Sequence, residues 1–306
     1  MKSHKNDNNL SNDIHICIKW RESMGKLGMI LEGGGVRGIY TAGVLDVLMD
    51  HQVKVDAIFG VSAGALHGLN YTACQKHRSY RITTAYIRDK RYLSMQSFIR
   101  TGDIFGAKFC YQTIPDELDP FDYETFRKNT TKLYATVSNL ETGKAEYILC
   151  DDAKKKIDYI RASASLPLLS RIVEIDGKKY LDGGICDSIP LKKAQEKGFY
   201  KNIVILTRVK GYQKEQSKML TMMRYQYRSY PEFVKAAVNR HINYNETLAY
   251  VEREEEKGNC FVIRPSELIS VSRLERDITR INQLYELGKK DANDIYSKLM
   301  DYIKLK

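Results

Sequence analysis

Three short stretches of this chain carry residue types that can do chemistry: Gly33-Gly34-Gly35-Val36-Arg37-Gly38, Gly60-Val61-Ser62-Ala63-Gly64 and Asp182-Gly183-Gly184. The second matches G-x-S-x-G. A serine hydroxyl is a weak nucleophile unless a sharp strand-to-helix turn exposes it beside a base, and small flanking residues let strand and helix approach there. Ser62 is therefore the candidate nucleophile, with Gly60 and Gly64 as the small flanks of its elbow. The helix expected behind Ser62 would add amide dipoles that favour nearby negative charge. The competing interpretation is a chance pair of glycines around a turn serine.

The glycine loop matches G-x-G-x-x-G and admits two functional interpretations. One is a dinucleotide site with pyrophosphate on a helix N-terminus. That site wants an acidic residue at the end of the second strand, where the chain instead has Gly60-Val61-Ser62. The other is an oxyanion hole, in which backbone N–H groups of Gly33, Gly34, Gly35, Val36, Arg37 and Gly38 face the charge that develops on an attacked carbonyl. One such donor is typically worth about 10²–10³ in turnover. A plain flexible turn is the third interpretation. Asp182, at the end of an expected strand and followed by two glycines, is either a turn residue or a carboxylate aimed back toward a site.

A serine hydrolase usually adds a histidine, and the six here are poorly placed. His4 and His15 fall in the polar N-terminal stretch. His51 ends a helix, and His67 and His77 follow Ser62 closely, so they are expected to point elsewhere. His241 satisfies the chain order Ser, Asp, His, but sits in a helical stretch and is expected at the surface. This shortage favours a two-residue mechanism.

The elements that must hold these groups follow from apolar patterning. Gly28–Leu31 reads as a buried strand running into the glycine loop, Val36–Asp50 as a helix, Val53–Phe59 as a second strand and Ala63–Gln75 as a helix. That alternation is the signature of a parallel sheet, and parallel neighbours would bring both glycine loops to one sheet edge. Further on, Tyr86–Arg100 reads as a helix, Leu133–Ser138 and Ala145–Leu149 as paired strands, and Ile157–Ala164 as a short helix. Asp176-Gly177 marks a hairpin between Ile172–Ile175 and Lys179–Leu181, and Asn202–Thr207 is another strand. Glu215–Glu256 reads as helical with a break near Pro231, Cys260–Ile263 as a strand, and Ser272–Leu305 as one long helix. The expected organisation is a loose N-terminal extension over 1–24, a catalytic core over 25–210, and a mostly helical C-terminal region over 211–306 that returns one strand to the core.

Composition narrows the function classes. The 306 residues are 43% hydrophobic and 28% charged, an ordinary globular mixture, with a formal net charge of +11. The basic excess suits solubility or attraction to anionic surfaces such as acidic lipid headgroups. No recognition helix, zinc finger or RNP pattern is present, so no nucleic-acid partner is expected. The six cysteines form no CxxC pair and read as buried free thiols of a reducing compartment. No apolar run is long enough to span a bilayer and no secretory leader is visible, which leads to an expected cytoplasmic location, peripheral to the membrane at most. No metal and no cofactor is expected, since carboxylates and histidines nowhere show ligand spacing.

In this order and spacing, the three motifs resemble the patatin-like phospholipase family. Ala162-Ser163-Ala164-Ser165-Leu166-Pro167 and Asp187-Ser188-Ile189-Pro190 add to the likeness, which covers about Gly28 to Val209; beyond Gly211 the chain is more loosely similar to the C-terminal part of bacterial members. The resemblance implies a three-layer α/β/α sandwich with a mainly parallel central sheet. It also implies a Ser–Asp dyad without histidine, in which Ser62 attacks the ester carbonyl, Asp182 takes its proton, and backbone around Gly34, Gly35 and Val36 holds the oxyanion. Arg37 would brace that loop or meet a phosphate headgroup. Burial would have to strengthen Asp182 as a base, because a carboxylate in water has a pKa near ~4. The Met- and Tyr-rich stretch Met219–Tyr227 is the candidate lid or acyl-chain wall, against the plainer alternative of a helix face packed on the core. The expected activity is hydrolysis of phospholipids, lysophospholipids or related acyl esters. The alternatives are a soluble carboxylesterase or thioesterase, a nucleotide-binding protein using the glycine loop, and a catalytically silent membrane scaffold. Oligomeric state stays open.

Overall fold

Every residue of β1 (Leu27–Leu31) is buried. A strand covered on both faces belongs in the middle of a layered sheet, and β1 lies between β2 (Ala57–Val61) and β7 (Lys201–Ile205), parallel to both. The computed structural model describes residues 26–305. The expected extension over 1–24, with Cys17, His4 and His15, lies outside the described residues.

Among the described residues the sheet has eight strands. β3 (Lys132–Asn139) adds in parallel to β2, and β8 (Cys260–Ile263) adds in parallel to β7. β4 (Ala145–Leu149) and β6 (Lys178–Asp182) pair antiparallel with β3, and β5 (Val173–Ile175) pairs antiparallel with β6. Alternate residues face opposite layers, as strand geometry requires. Met29, Leu31, Ile58, Ile203 and Ile205 share one core with α1 (Ile39–Asp50), α2 (Ala63–Thr72) and α10 (Ile278–Lys304). Ile30, Phe59, Val204 and Leu206 share the other with α7 (Leu191–Glu196) and α9 (Pro231–Glu256). The result is a three-layer α/β/α sandwich with a mainly parallel sheet.

Helix α1 is buried continuously from Ile39 to Leu48, because it is clamped between the sheet and α10. The two helices touch at glycines. A Cβ on Gly43 would stand 2.2 Å from the Tyr285 carbonyl, and one on Gly288 would stand 2.2 Å from the Tyr40 carbonyl. Flanking hydrogen bonds lock the crossing: Tyr40 donates to Asp291 at 3.0 Å and Tyr285 to Asp46 at 2.6 Å.

Several boundaries differ from those the sequence suggests. The helix expected over Tyr86–Arg100 is two helices, α3 (Arg78–Tyr86) and α4 (Met95–Thr101), because Leu93 leaves helical geometry to bridge Phe105. A ten-residue π-helical segment, Phe109–Leu118, follows. Between β4 and β5 lies α6 (Ile157–Ser163), after the short α5 (Tyr123–Lys128). Residues 212–217 are not helical and α8 (Leu220–Gln226) is short; the break expected near Pro231 falls at 227–230, and Pro231 itself starts α9, at a position where its missing N–H costs nothing. The last helix begins at Ile278, capped by the Asp277 side chain accepting from Thr279 N–H at 2.9 Å. Residues 264–277 therefore form a loop. Cys74, Cys110, Cys150, Cys186 and Cys260 are free thiols, but only Cys150 and Cys260 are buried, and Cys74 is exposed. Among the described residues no helix is long and apolar enough to cross a membrane.

Candidate active site

Ser62 follows the last residue of β2 and precedes the first of α2. Its backbone lies at φ 55°, ψ −123°, in a region costly for any residue with a Cβ. Two close approaches hold it there. A Cβ on Gly60 would stand 2.5 Å from Ala65 Cα, and one on Gly64 would stand 2.3 Å from the Leu31 carbonyl. The Ser62 N–H donates to Ser163 Oγ at 2.9 Å, which ties the elbow to the end of α6.

Asp182 reaches the elbow through sheet register. Val61 pairs with Thr136 of β3, and Asp182 pairs with the next residue, Val137. β4 occupies the opposite edge of β3 at Val137 and Ser138, so β6 must share the edge that β2 uses. The two strands thus meet end to end, and their C-termini point at each other. A Cβ on Gly183 would stand 2.1 Å from the Thr136 carbonyl, so only glycine allows this abutment. The Asp182 N–H donates to the Ser165 carbonyl at 2.8 Å, and its carboxylate accepts from Gly184 N–H at 2.8 Å. Burial raises the Asp182 pKa above the ordinary carboxylate range, opposed by a hydrogen bond from the Ser62 side chain, by Arg240, by the Gly184 amide and by Arg273.

The glycine loop leaves β1 and lies over the same elbow. A Cβ on Gly33 would stand 2.8 Å from the Val61 carbonyl and 2.9 Å from Ser62 Cβ. Gly35 has φ +57°, and a Cβ there would stand 2.6 Å from the Arg273 carbonyl. That carbonyl accepts the Val36 N–H at 3.1 Å, so this amide is already engaged. The Gly34 and Gly35 N–H groups have no acceptor among the described residues. Arg37 is buried behind the loop, and its Nε has no hydrogen-bond partner among the described residues. Burial first, then Arg208 and Arg273, pull its pKa down to about 10, while Glu32 acts the other way. Glu32 accepts from Thr207 N–H at 2.6 Å and from Tyr244 Oη at 2.6 Å.

Two hollows open at Ser62. A cleft of about 40 Å³ is bounded by Gly33, Gly34, Gly35, Asp182, Arg240 and Arg273. A cavity of about 150 Å³ runs away from it between α2, α3 and the π-helical segment, walled by Ile39, Leu66, Leu69, Ile82, Ile114 and Phe121 among others. None of Met219–Tyr227 lines either hollow. Met223 and Tyr227 pack instead in a separate core with Leu140, Leu181 and Phe233, which overturns the acyl-wall expectation for that stretch.

Among the described residues no histidine is hydrogen-bonded to Ser62 or Asp182. His67 does line the cavity, contrary to expectation, but its Nδ1 faces Ser79 Oγ at 2.9 Å and its Nε2 is packed against Gly38. Burial drives its pKa down to about 4, so it is neutral. His77 contacts Asp46 and Tyr285, and His241 Nδ1 faces the carbonyl of Val238. Sequence reasoning missed Arg240, Arg273 and Ser163. The Asp277-Ile278-Thr279 cap was the one available sign that Arg273 precedes a helix rather than lying inside it.

The sequence model of the patatin-like phospholipase family matches residues 29–194. A second, described as a domain of unknown function (DUF6363), matches residues 230–304. The uncharacterized protein YjjU of Escherichia coli is 26% identical over 270 residues, covering 87% of this chain and 75% of its own length. Lysophospholipase NTE1 of Debaryomyces hansenii is 28% identical over 187 residues, covering 56% of this chain but 11% of that protein. NTE1 of Saccharomyces cerevisiae is 28% identical over 179 residues, with 56% and 10% covered. Among solved structures, VipD from Legionella pneumophila superposes with a TM-score of 0.45 at 12% identity, covering 90% of this chain and 67% of that one.

Proposed function

The chain belongs to the patatin-like phospholipase family, and from that premise we propose that it hydrolyses acyl esters of lipids with Ser62 as nucleophile and Asp182 as the only side-chain base. The observation that carries this is the meeting of the Ser62 hydroxyl and the buried Asp182 carboxylate at one sheet edge, under a glycine loop with unengaged amides.

Ser62 Oγ attacks the ester carbonyl carbon while Asp182 takes its proton. Burial that raises the carboxyl pKa makes Asp182 a stronger base than an aspartate in water. The carbonyl oxygen gathers negative charge beside Gly34 and Gly35, whose N–H groups are the natural donors, since the Val36 amide is engaged by Arg273. The tetrahedral intermediate collapses, the ester C–O bond breaks, and the leaving oxygen takes the proton back from Asp182. Water then repeats the sequence on the Ser62 acyl ester and releases the fatty acid. Arg37, buried opposite Glu32 and outside both hollows, braces the loop rather than meeting substrate.

The apolar cavity beginning at Ser62 supports a long acyl chain over a small acid. The relatives named lysophospholipase accord with that substrate class. The excess of basic residues would favour an anionic lipid surface. Labelling the full chain with a fluorophosphonate and mapping the modified peptide tests the nucleophile: the label should sit on Ser62, and a label elsewhere or none defeats the proposal. Rates on one ester below and above its micelle concentration test the lipid assignment, with a soluble esterase showing no gain on aggregation.

A further inference from the structure

The C-terminal region reaches into the proposed active site twice. From α9, Arg240 Nε donates to the Gly184 carbonyl, and both Arg240 Nη2 and Asp182 Oδ1 lie within 3.3 Å of the point where a Gly184 Cβ would stand. From the loop before α10, Arg273 holds Val36 through its carbonyl, and its own Cβ stands 3.2 Å from the Cβ position of Gly35. Arg240 and Arg273 both line the cleft that contains Ser62 and Asp182, and neither lines the apolar cavity.

Resting on the hydrolase proposal, we infer that Arg240 and Arg273 form a subsite for a phosphate carried by the leaving alcohol, so that the region matched as a domain of unknown function sets headgroup specificity.

The reaction itself fixes which half of the substrate lies there. The leaving oxygen must face Asp182 to recover its proton, so the acyl chain takes the apolar cavity and the alcohol takes the cleft. In an acylglycerol phosphate, the phosphate hangs only a few bonds beyond that oxygen. Two arginines are well matched to it, because guanidinium groups bind phosphate oxygens through charge-assisted paired hydrogen bonds.

The charge around the cleft is lopsided. Arg37, Arg208, Lys214, Arg240 and Arg273 lie close enough to act on one another, and among the described residues the cleft itself is lined by two arginines and one carboxylate, Asp182. Burial first, then Arg240, Arg273 and Arg37, bring the Lys214 pKa down to about 7, while Glu32 acts the other way. Among the described residues no aromatic ring lines the cleft, so a choline headgroup would find no aromatic seat there. The Tyr212 ring is covered by Arg208 at 4.3 Å and the Tyr244 ring by Lys214 at 4.1 Å. The subsite therefore suits a doubly charged phosphate monoester over a zwitterionic headgroup.

The experiment compares kcat/KM of the full chain on three substrates with one acyl chain: 1-acylglycerol 3-phosphate, the corresponding phosphocholine, and the neutral monoacylglycerol. The phosphate monoester should be preferred over both. Arg273→Gln leaves the backbone carbonyl in place, and it should lower the ratio of phosphate monoester to neutral substrate about 10- to 100-fold. Arg273→Lys should recover part of that ratio. An unchanged ratio, or equal losses on both substrates, overturns the subsite and leaves Arg273 as a brace of the glycine loop. Hydrolysis of the monoacylglycerol by the wild type upholds the hydrolase proposal on its own, whatever the ratio does. Should the wild type hydrolyse none of the three, calorimetric titration with glycerol 3-phosphate decides the subsite separately. Binding that Arg273→Gln abolishes supports it, and no binding to the wild type overturns it. Inorganic phosphate binding as tightly as glycerol 3-phosphate would mark a free-anion site and also overturn it.

Discussion

Val61 and Asp182 stand end to end on one edge of β3, opposite the consecutive residues Thr136 and Val137. One strand arrives parallel to β3 and the other antiparallel, so the residues that finish each strand converge. Ser62 and Asp182 are separated by 120 positions in the chain (182 − 62), yet a single step of sheet register joins them.

The abutment depends on Gly183. A methyl there would meet the Thr136 carbonyl at 2.1 Å, a backbone atom that cannot turn aside. Gly183→Ala is expected to push β6 away from β2, cost about 1–3 kcal/mol of stability by overpacking, and lower kcat/KM by more than the unfolded fraction explains. Urea melts read beside esterase rates check this. Normal activity in a destabilised variant would show that the register is not what sets the dyad.

The dyad makes a sharp prediction about side chains. Ser62→Ala and Asp182→Asn are each expected to lower turnover at least about 10²- to 10⁴-fold, the usual worth of a nucleophile's base. His241→Ala is expected to keep wild-type rates, since its ring faces its own helix backbone. Loss of hydrolysis in the histidine variant would turn the dyad into a triad.

The pH profile should report Asp182. Burial raises its pKa, and only the ionised form accepts the Ser62 proton, so kcat/KM is expected to rise with pH through a value above the ordinary carboxylate range. Arg240 opposes that rise in pKa, so Arg240→Gln should move the acid limb to higher pH. An acid limb near pH 4, or one unmoved in the variant, contradicts this.

The same group leaves a mark on stability. Its folded pKa lies above its unfolded value of 3.8, so ionising it in the fold has a cost that is absent below the unfolded value and complete above the folded one. The stability of Asp182→Asn relative to wild type should therefore grow as pH rises across that window. Denaturation midpoints of both proteins at pH 4 and pH 8 measure the difference; a constant gap would exclude a raised pKa.

The cavity should set acyl-chain length. Ala153 is buried in its wall, and Ala153→Leu puts three more carbons into the empty space. Long-chain p-nitrophenyl esters should lose kcat/KM relative to the four-carbon ester. Deleting side chains from Met219 or Met222 should leave the chain-length preference alone, because neither borders the cavity.

Much of this was legible from local patterning. Apolar runs ending in glycine loops determined the parallel strands and the positions of Ser62 and the glycine loop, because a buried strand must be apolar and a strained turn must be small. Asp182-Gly183-Gly184 was visible as a motif, while its partnership with Ser62 came from resemblance rather than from spacing. What the sequence could not supply was anything that depends on residues far apart in the chain. Register between β3 and β6 places the carboxylate, and a one-residue slip would turn it to the other face. Met219–Tyr227 could be read as a lid or acyl-chain wall or as a packed helix face, because Met and Tyr suit a core as well as a binding wall, and only the packing of Met223 and Tyr227 with Leu181 and Phe233 separates the wall from the packed face. Arg240 and Arg273 looked like ordinary basic residues of helical stretches. The role proposed for their charges depends on the fold bringing them, half-buried, beside Asp182 and Gly35, since an electrostatic interaction is set by distance and dielectric, and neither is written along the chain.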